Sequence, residues 1–265
     1  MKYALLIGIN YKGQDGELNG CINDVHKIRN ILVSKFGFKS KNIVMLTDNT
    51  KQKPTARNII NELSNLVFKT MSNPNSEIWI HYSGHGASIL DSNSDEADGM
   101  DEVLIPLDYE KNGIITDDTL HNILCRIPRQ SKCICFFDCC HSGTILDLKY
   151  KYKIDGSEII DNPKAKTRAK IFMISGCKDN QTSADFFNSK CYSWAGAMTT
   201  IFIKTLEDNK YNLNCLKLLE DMRTNLVNDN FTQIPQMTSS FHIKNDTIFC
   251  STGKNSKGLL ECIIK

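Results

Sequence analysis

A chain of 265 residues with 41% hydrophobic side chains has room for one large α/β domain or two small ones, with a sizeable core. Its 32 basic and 30 acidic residues leave a formal charge of +2, which argues against a global field for nucleic acid or an anionic membrane. The apolar run 3–9 is too short to span a bilayer and lacks the small-residue cleavage site of a signal peptide. The 11 cysteines are odd in number, and Cys133 and Cys135 fall inside an apolar run, so they read as thiols of a cytoplasmic protein.

Short apolar runs alternate with stretches of helical periodicity, the pattern of a mostly parallel sheet covered by helices on both faces. The first strand is expected at 3–9. Val25, Ile28, Ile31, Leu32 and Phe36 then recur at helical spacing, with Asn23 or Asp24 placed to cap that helix. A strand at 42–46 follows, and Pro54 opens a second helix that runs to about Met71. Strands are expected again at 78–82 and 133–138. Residues 147–169 lose helical periodicity, are rich in Lys, Asp and Gly, and carry Lys149, Lys151 and Lys153 in alternation, as an exposed connection does. Beyond them come a strand at 171–175, helices near 194–206 and 213–227, and a sixth strand at 247–250. No internal repeat or low-complexity tract is present.

Two of these strands end in chemistry. Strand 78–82 runs into Ser83-Gly84-His85-Gly86, and strand 133–138 runs into Cys139-Cys140-His141-Ser142-Gly143. In a parallel sheet, side chains just past the carboxyl ends of neighbouring strands converge on one rim, so His85 and Cys140 are expected together. A thiol near its unperturbed pKa of ~8.5 is only a few per cent thiolate at neutral pH and needs a neighbouring imidazole. His85 supplies one. Glycines around His85 let a peptide approach and leave N–H groups, those of Gly86 and Cys140, to face a developing oxyanion. His141 competes as the base, but adjacency along the chain makes its neighbour's sulfur awkward to reach. Cys139 points away from Cys140 if strand alternation persists. A zinc site built from Cys135, Cys139, Cys140 and His141 lacks the C-x2-C pairs that structural zinc prefers.

His-Tyr-Ser-Gly-His-Gly (81–86) and Asp-Cys-Cys-His-Ser-Gly (138–143) resemble the paired signatures of metacaspases, relatives of the caspases, and their spacing is close to the ~50 residues of that group. Gly20-Cys21-Ile22-Asn23-Asp24, the stretch 175–185 and Gly196-Ala197-Met198-Thr199 fit as well, so the resemblance spans residue 3 to about residue 206. It implies a caspase-like three-layer α/β sandwich with a six-stranded, mostly parallel sheet between helices. The large part would be 1–146, the linker 147–168 and the small part 169–265, together one peptidase domain. Metacaspases of the first type usually carry a Pro-rich or zinc-finger prodomain, whereas here the motifs of the catalytic domain begin at residue 3; the linker is also shorter than in the second type. The implied activity is that of a monomeric cysteine endopeptidase. A catalytically silent scaffold and a dimeric, paracaspase-like peptidase are the alternatives.

Asp138 precedes Cys140 by two residues and projects to the same side on a continuing strand, where a poorly solvated carboxylate wants a cation. The resemblance adds Asp24 as a second wall of a specificity pocket, lined also by Cys21 and Ser83, which implies protein or peptide substrates with Arg or Lys before the cleaved bond. The bland role for Asp24 is the helix cap. Basic residues at Lys149, Lys151, Lys153, Lys164, Lys166 and Arg168 make the connection a candidate for self-cleavage. Residues 82–110 carry no Lys or Arg but eight acids, Asp91, Asp95, Glu96, Asp98, Asp101, Glu102, Asp108 and Glu110. A solvated loop is the plain explanation, and an EF-hand is discounted because Glu96 stands where glycine is needed. From the resemblance, an activating Ca²⁺ site carries over onto Asp101, Asp117, Asp118 and Asp147, hard oxygen donors suited to calcium.

Overall fold

The structure is a computed structural model that describes residues 1–90, 99–140, 142–153, 155, 157–176, 185–188, 193–243, 247–250 and 260–262, with backbone alone at 185–188, 193–195, 247–250 and 260–262. In chain order its strands are β1 (Lys2–Gly8), β2 (Ile43–Thr47), β3 (Glu77–Ser83), β4 (Gly86–Leu90), β5 (Met100–Leu104), β6 (Ile115–Thr116), β7 (Lys132–Asp138), β8 (Tyr150–Tyr152) and β9 (Glu158–Ile160). They continue as β10 (Lys170–Ser175), β11 (Asp185–Asn188), β12 (Ser193–Gly196), β13 (Asn212–Asn214), β14 (Gln236–Ser239), β15 (Thr247–Cys250) and β16 (Leu260–Cys262). The helices are α1 (Cys21–Ser34), α2 (Ala56–Met71), α3 (Tyr109–Asn112), α4 (Asp117–Leu124), α5 (Ala197–Asp208) and α6 (Cys215–Asn228).

One sheet has the order β2-β1-β3-β7-β10-β14-β8-β9. Its first five strands run parallel, β14 pairs antiparallel with β10, and β8 and β9 continue antiparallel at the far edge. Alternation along the parallel strands sorts the core into two layers. Leu6, Trp79, Ile134, Phe136 and Phe172 face α1, α5 and α6. Leu5, Ile7, Ile80, Cys133, Cys135 and Met173 face α2 and α4. A strand buried on both sides reads as an unbroken apolar run, which is why β1, β3, β7 and β10 are plain in the sequence; β2, half-buried at the sheet's edge, is apolar as well.

The departures have local causes. Helix α1 starts at Cys21 with Gly20 as N-cap and no side-chain cap, so neither Asn23 nor Asp24 caps it; Asp24 lies in the first turn, fully buried. Helix α2 starts at Ala56, with the Thr55 hydroxyl accepting the Asn58 N–H at 3.3 Å, and Pro54 lies just outside. The main sheet has eight strands where six were expected. The place next to β10 belongs to β14, a short Gln-Met-Thr-Ser segment with a single apolar residue, whereas β15 joins β13 and β16 in a separate three-stranded sheet. Residues 147–169 are more than a connection: Tyr150 and Tyr152 are buried in β8. The alternating lysines were half of a period-two pattern whose other half is these tyrosines. Likewise 193–196 is strand β12, and α5 begins only at Ala197. No helix among the described residues is long and apolar enough to cross a membrane.

Lys151 is flanked on both sides, by Thr238 of β14 and Ile159 of β9, while Lys164, Lys166 and Arg168 are exposed in irregular chain. Limited digestion with trypsin is therefore expected to cut first after Lys164, Lys166 or Arg168 and to spare Lys151, as read by mass spectrometry of the fragments. Early cleavage after Lys151 would contradict the placement of β8.

Candidate active site

Strands β3 and β7 are parallel and in register, with Ser83 opposite Asp138. The Gly84 N–H donates to the Asp138 carbonyl at 3.3 Å, which carries the pairing one step past the strands. His85 and Cys140 each follow two residues after this matched pair, so both emerge on the same rim. The close approach is visible at Gly86: a Cβ there would lie 2.3 Å from the Cys140 carbonyl oxygen and 3.2 Å from the Cys139 sulfur. Cys139 is fully buried with Cys133, Cys135 and Phe137, so alternation does turn it into the α2 and α4 layer. Cys140 is half-buried and is not part of a disulfide. His141 lies outside the described residues, as do Asp91, Asp95, Glu96, Asp98 and 177–184 of the stretch 175–185.

The His85 ring is half-buried, and its Nε2 lies 2.6 Å from the Gly16 carbonyl oxygen. A carbonyl can only accept, so Nε2 carries the proton and Nδ1 is left with the lone pair able to take one. Gly16 has φ of +77°, and a Cβ would sit 3.1 Å from Nε2, so both the backbone angle and the space favour glycine. Nothing in the pattern of the polar segment after β1 announced this partner, because the group that matters is a main-chain oxygen. His81 is separate and structural: fully buried, it donates from Nδ1 to the Phe136 carbonyl at 3.0 Å and stacks on the Phe136 ring. Burial pushes its pKa down to about 3.

Asp24 and Asp138 come together, both buried, at the start of α5. Asp24 Oδ2 accepts from the Gly196 N–H at 2.9 Å and the Ser83 hydroxyl at 3.1 Å. Asp138 Oδ2 accepts from the Thr199 N–H at 2.9 Å and the Thr199 hydroxyl at 2.8 Å, and so acts as a cap for α5 borrowed from another strand. A Cβ on residue 196 would lie 2.2 Å from Asp138 Oδ2 and 2.8 Å from Asp24 Oδ2, so only glycine fits between them. Asp24 Oδ1 is buried without a hydrogen-bond partner among the described residues. Burial first, and then the Asp138 charge, push the Asp24 carboxyl well above the usual carboxylate range, against the Gly196 N–H, Lys27 and Ser83, which favour the anion. Cys21 is buried at the head of α1, its carbonyl close against Gly8. Gly196 and Thr199 were noted in the sequence only as part of a fitting stretch, without a role.

Of the four candidate calcium ligands, Asp101, Asp117 and Asp147 are buried and Asp118 is half-buried. Asp117 opens α4 and accepts the Glu102 N–H at 2.6 Å and the Asp118 N–H at 2.8 Å. Asp147 has φ of 47° and donates its N–H to the Thr144 carbonyl at 2.7 Å. Glu102, one of the eight acids of 82–110 but not among the four calcium candidates, is also buried and accepts the Thr144 hydroxyl at 2.8 Å, tying β5 to the segment after Cys140. The donor chemistry suits calcium, but no group of three or more His, Cys, Asp or Glu side chains is gathered as a metal site among the described residues.

The architecture is that of the caspases. Caspase-1 from Spodoptera frugiperda superposes with a TM-score of 0.58 at 14% identity, over 89% of this chain and 85% of that one. A protein from Geobacter sulfurreducens superposes with a TM-score of 0.64 at 23% identity, over 90% of this chain and 93% of that one. The sequence matches the family described as Metacaspase, peptidase C14 domain, over residues 2–149. Metacaspase-1 of Meyerozyma guilliermondii is 36% identical over 291 residues, 90% of this chain and 69% of that protein. Metacaspase-1 of Candida glabrata is 34% identical, over 91% of this chain and 73% of that protein. The chain belongs to the metacaspase family of caspase-like cysteine peptidases.

The raised Asp24 pKa makes stability depend on pH in a definite direction. Folding keeps a proton on Asp24, so its contribution is full below the unfolded value of ~3.9 and is lost as pH rises through the raised folded value. Asp24→Asn cannot ionise and is expected to melt roughly 2–4 °C above the parent on the alkaline side for each kcal/mol removed, with a flatter pH profile by calorimetry. Parallel profiles for the two proteins would show that Asp24 is ionised at no cost.

Proposed function

We propose that the protein is a calcium-activated endopeptidase that cleaves after Arg or Lys through a dyad of Cys140 and His85. The observation that carries the chemistry is the in-register β3–β7 pair, which sends His85 and Cys140 off the same rim with the imidazole anchored by Gly16. Cys140 Sγ attacks the scissile carbonyl carbon while its proton passes to His85 Nδ1. The N–H groups of Gly86 and Cys140 face the oxyanion. The imidazolium then protonates the leaving amine, the C–N bond breaks and a thioester remains. Water, deprotonated by His85, attacks the thioester; the thiol leaves with that proton and the acid is released.

Specificity follows from the acid pair. Asp24 has an orphan oxygen and shares a buried site with Asp138, so an entering guanidinium or ammonium donates to that oxygen and brings the opposite charge that lets Asp24 give up its proton. An Asp side chain would meet like charge, and an unpaired buried charge costs roughly 3–5 kcal/mol, a rate factor of about a hundred or more. The monomer reading is supported by β8 and β9, which cover the edge of β14 that would otherwise be open to a second copy. A reducing compartment such as the cytoplasm is supported by the free thiols of Cys133 and Cys135, whose sulfurs lie 3.6 Å apart. Self-cleavage, on this reading, falls at Lys164, Lys166 or Arg168, in exposed chain.

Asp101, Asp117, Asp118 and Asp147 are the residues that would hold calcium. The ion would supply positive charge to buried carboxylates and order the chain that follows Cys140.

With an Arg-terminated fluorogenic peptide, Cys140→Ala and His85→Ala are expected to lose activity on the order of 10³-fold or more, and Cys139→Ala to keep most of it. Residual turnover in Cys140→Ala would remove the nucleophile assignment, and an uncut peptide in the parent protein, with or without calcium, would favour a silent scaffold. Titration calorimetry should show calcium binding that Asp117→Ala/Asp118→Ala loses, together with the calcium response of peptidase activity. Full activity in excess chelator would refute the calcium reading.

A further inference from the structure

Two buried phenols converge on His85 from different parts of the chain. Tyr11 follows β1 and Tyr82 lies in β3; both are fully buried, and their hydroxyl oxygens are 3.1 Å apart. Each phenol has one proton to give. Tyr11 donates to the Ile105 carbonyl at 2.6 Å, which leaves its oxygen to accept the His85 N–H at 2.9 Å. Tyr82 donates to the His85 carbonyl at 2.7 Å, with Ile105 O a second acceptor at 3.0 Å. The Ile105 N–H adds a further donor to the His85 carbonyl at 3.2 Å. Both peptide groups of His85 are thereby tied down.

The space around the clamp is equally defined. A Cβ at Gly84 would lie 2.9 Å from the Tyr82 hydroxyl and 3.0 Å from that of Tyr11, so the two oxygens fill the volume that a side chain before His85 would need. The Tyr11 ring lies beside the imidazole, centroids 4.7 Å apart. Tyr11 itself has φ of 51°, the left-handed region that an aromatic residue rarely adopts and that the surroundings must hold in place. Its carbonyl accepts the Gln14 N–H at 3.0 Å, closing the turn that leads to Gly16, whose carbonyl holds Nε2. Burial pushes both phenols upward in pKa, so they remain neutral donors.

We propose that Tyr11 and Tyr82 are positioning residues for His85: their hydroxyls clamp both of its peptide groups, and through them aim the imidazole for proton transfer. The clamp matters to catalysis only if His85 is the base, and in that respect rests on the function proposed above. A tyrosine hydroxyl that merely needs a partner can take one from any nearby side chain, as that of Tyr3 does far from the site in accepting from Asn73 Nδ2 at 3.2 Å.

The test uses Tyr11→Phe and Tyr82→Phe, with Tyr3→Phe as control, and reads kcat, KM and the pH dependence of Cys140 alkylation by iodoacetamide, followed by mass spectrometry. Misplacing the imidazole is expected to lower kcat on the order of 10- to 100-fold with little change in KM. It is also expected to move the midpoint of Cys140 alkylation up toward the free-thiol value of ~8.5. Tyr3→Phe should change neither. If Tyr11→Phe fails to fold, Tyr82→Phe, which keeps the Tyr11 bond to the His85 N–H, carries the test. A lowered melting temperature with kcat and the alkylation profile unchanged in both variants would overturn the clamp and leave the dyad standing. An alkylation profile that is unchanged in His85→Ala would remove the base itself, and the clamp with it.

Discussion

Everything at the site depends on one pairing, the parallel register that sets Ser83 opposite Asp138. Because the side-chain period of a strand is two, a slip of one residue would turn Asp138 and Ser83 away from α1 and α5 and would offset His85 from Cys140. The register is held from below by the two-sided core, in which Trp79, Ile134 and Phe136 face one helical layer while Ile80, Cys133 and Cys135 face the other. Any slip would exchange these sets wholesale. The alignment of the rim is thus inherited from burial beneath it.

Above that register, the site is tightened by groups whose favourable options are few. Asp138 caps α5, Asp24 takes the amide that precedes it, and Gly196 is the only residue that fits between them. The same two carboxylates therefore join the end of β7 to the first turn of a helix about sixty residues later and line a place for a cation. Holding two acids together in a buried site works against stability, a tension expected where binding rather than folding has set the residue types.

The parts that were legible in the sequence are those governed by local rules. The five parallel strands announced themselves as apolar runs, and His85 and Cys140 as residues just past two of them. Asp138 could be placed by counting along a strand. What stayed hidden rests on long-range or main-chain contacts. No pattern marks the Gly16 oxygen as the partner of Nε2, and Tyr11 lies beyond the apolar run, in the polar segment that follows it. Strand β14 carries one apolar residue, too few to show a period, and β8 alternated in plain view but was masked by its lysines. Asp24 offered a helix cap from its position and a pocket wall from the resemblance, and only the tertiary fold shows its side chain turned inward to Ser83 and Gly196.

The strand order has a topological consequence for a severed chain. Proceeding across the sheet, β2, β1, β3 and β7 come from before residues 161–169, β10 and β14 from after, and β8 and β9 again from before. A cut in that segment would leave two polypeptides interleaved, with the downstream strands gripped along both edges by the upstream piece. Such a pair is not a dimer of stacked halves that dilution could separate. It is a single sheet with a nick in its backbone, and parting it requires breaking two ladders at once.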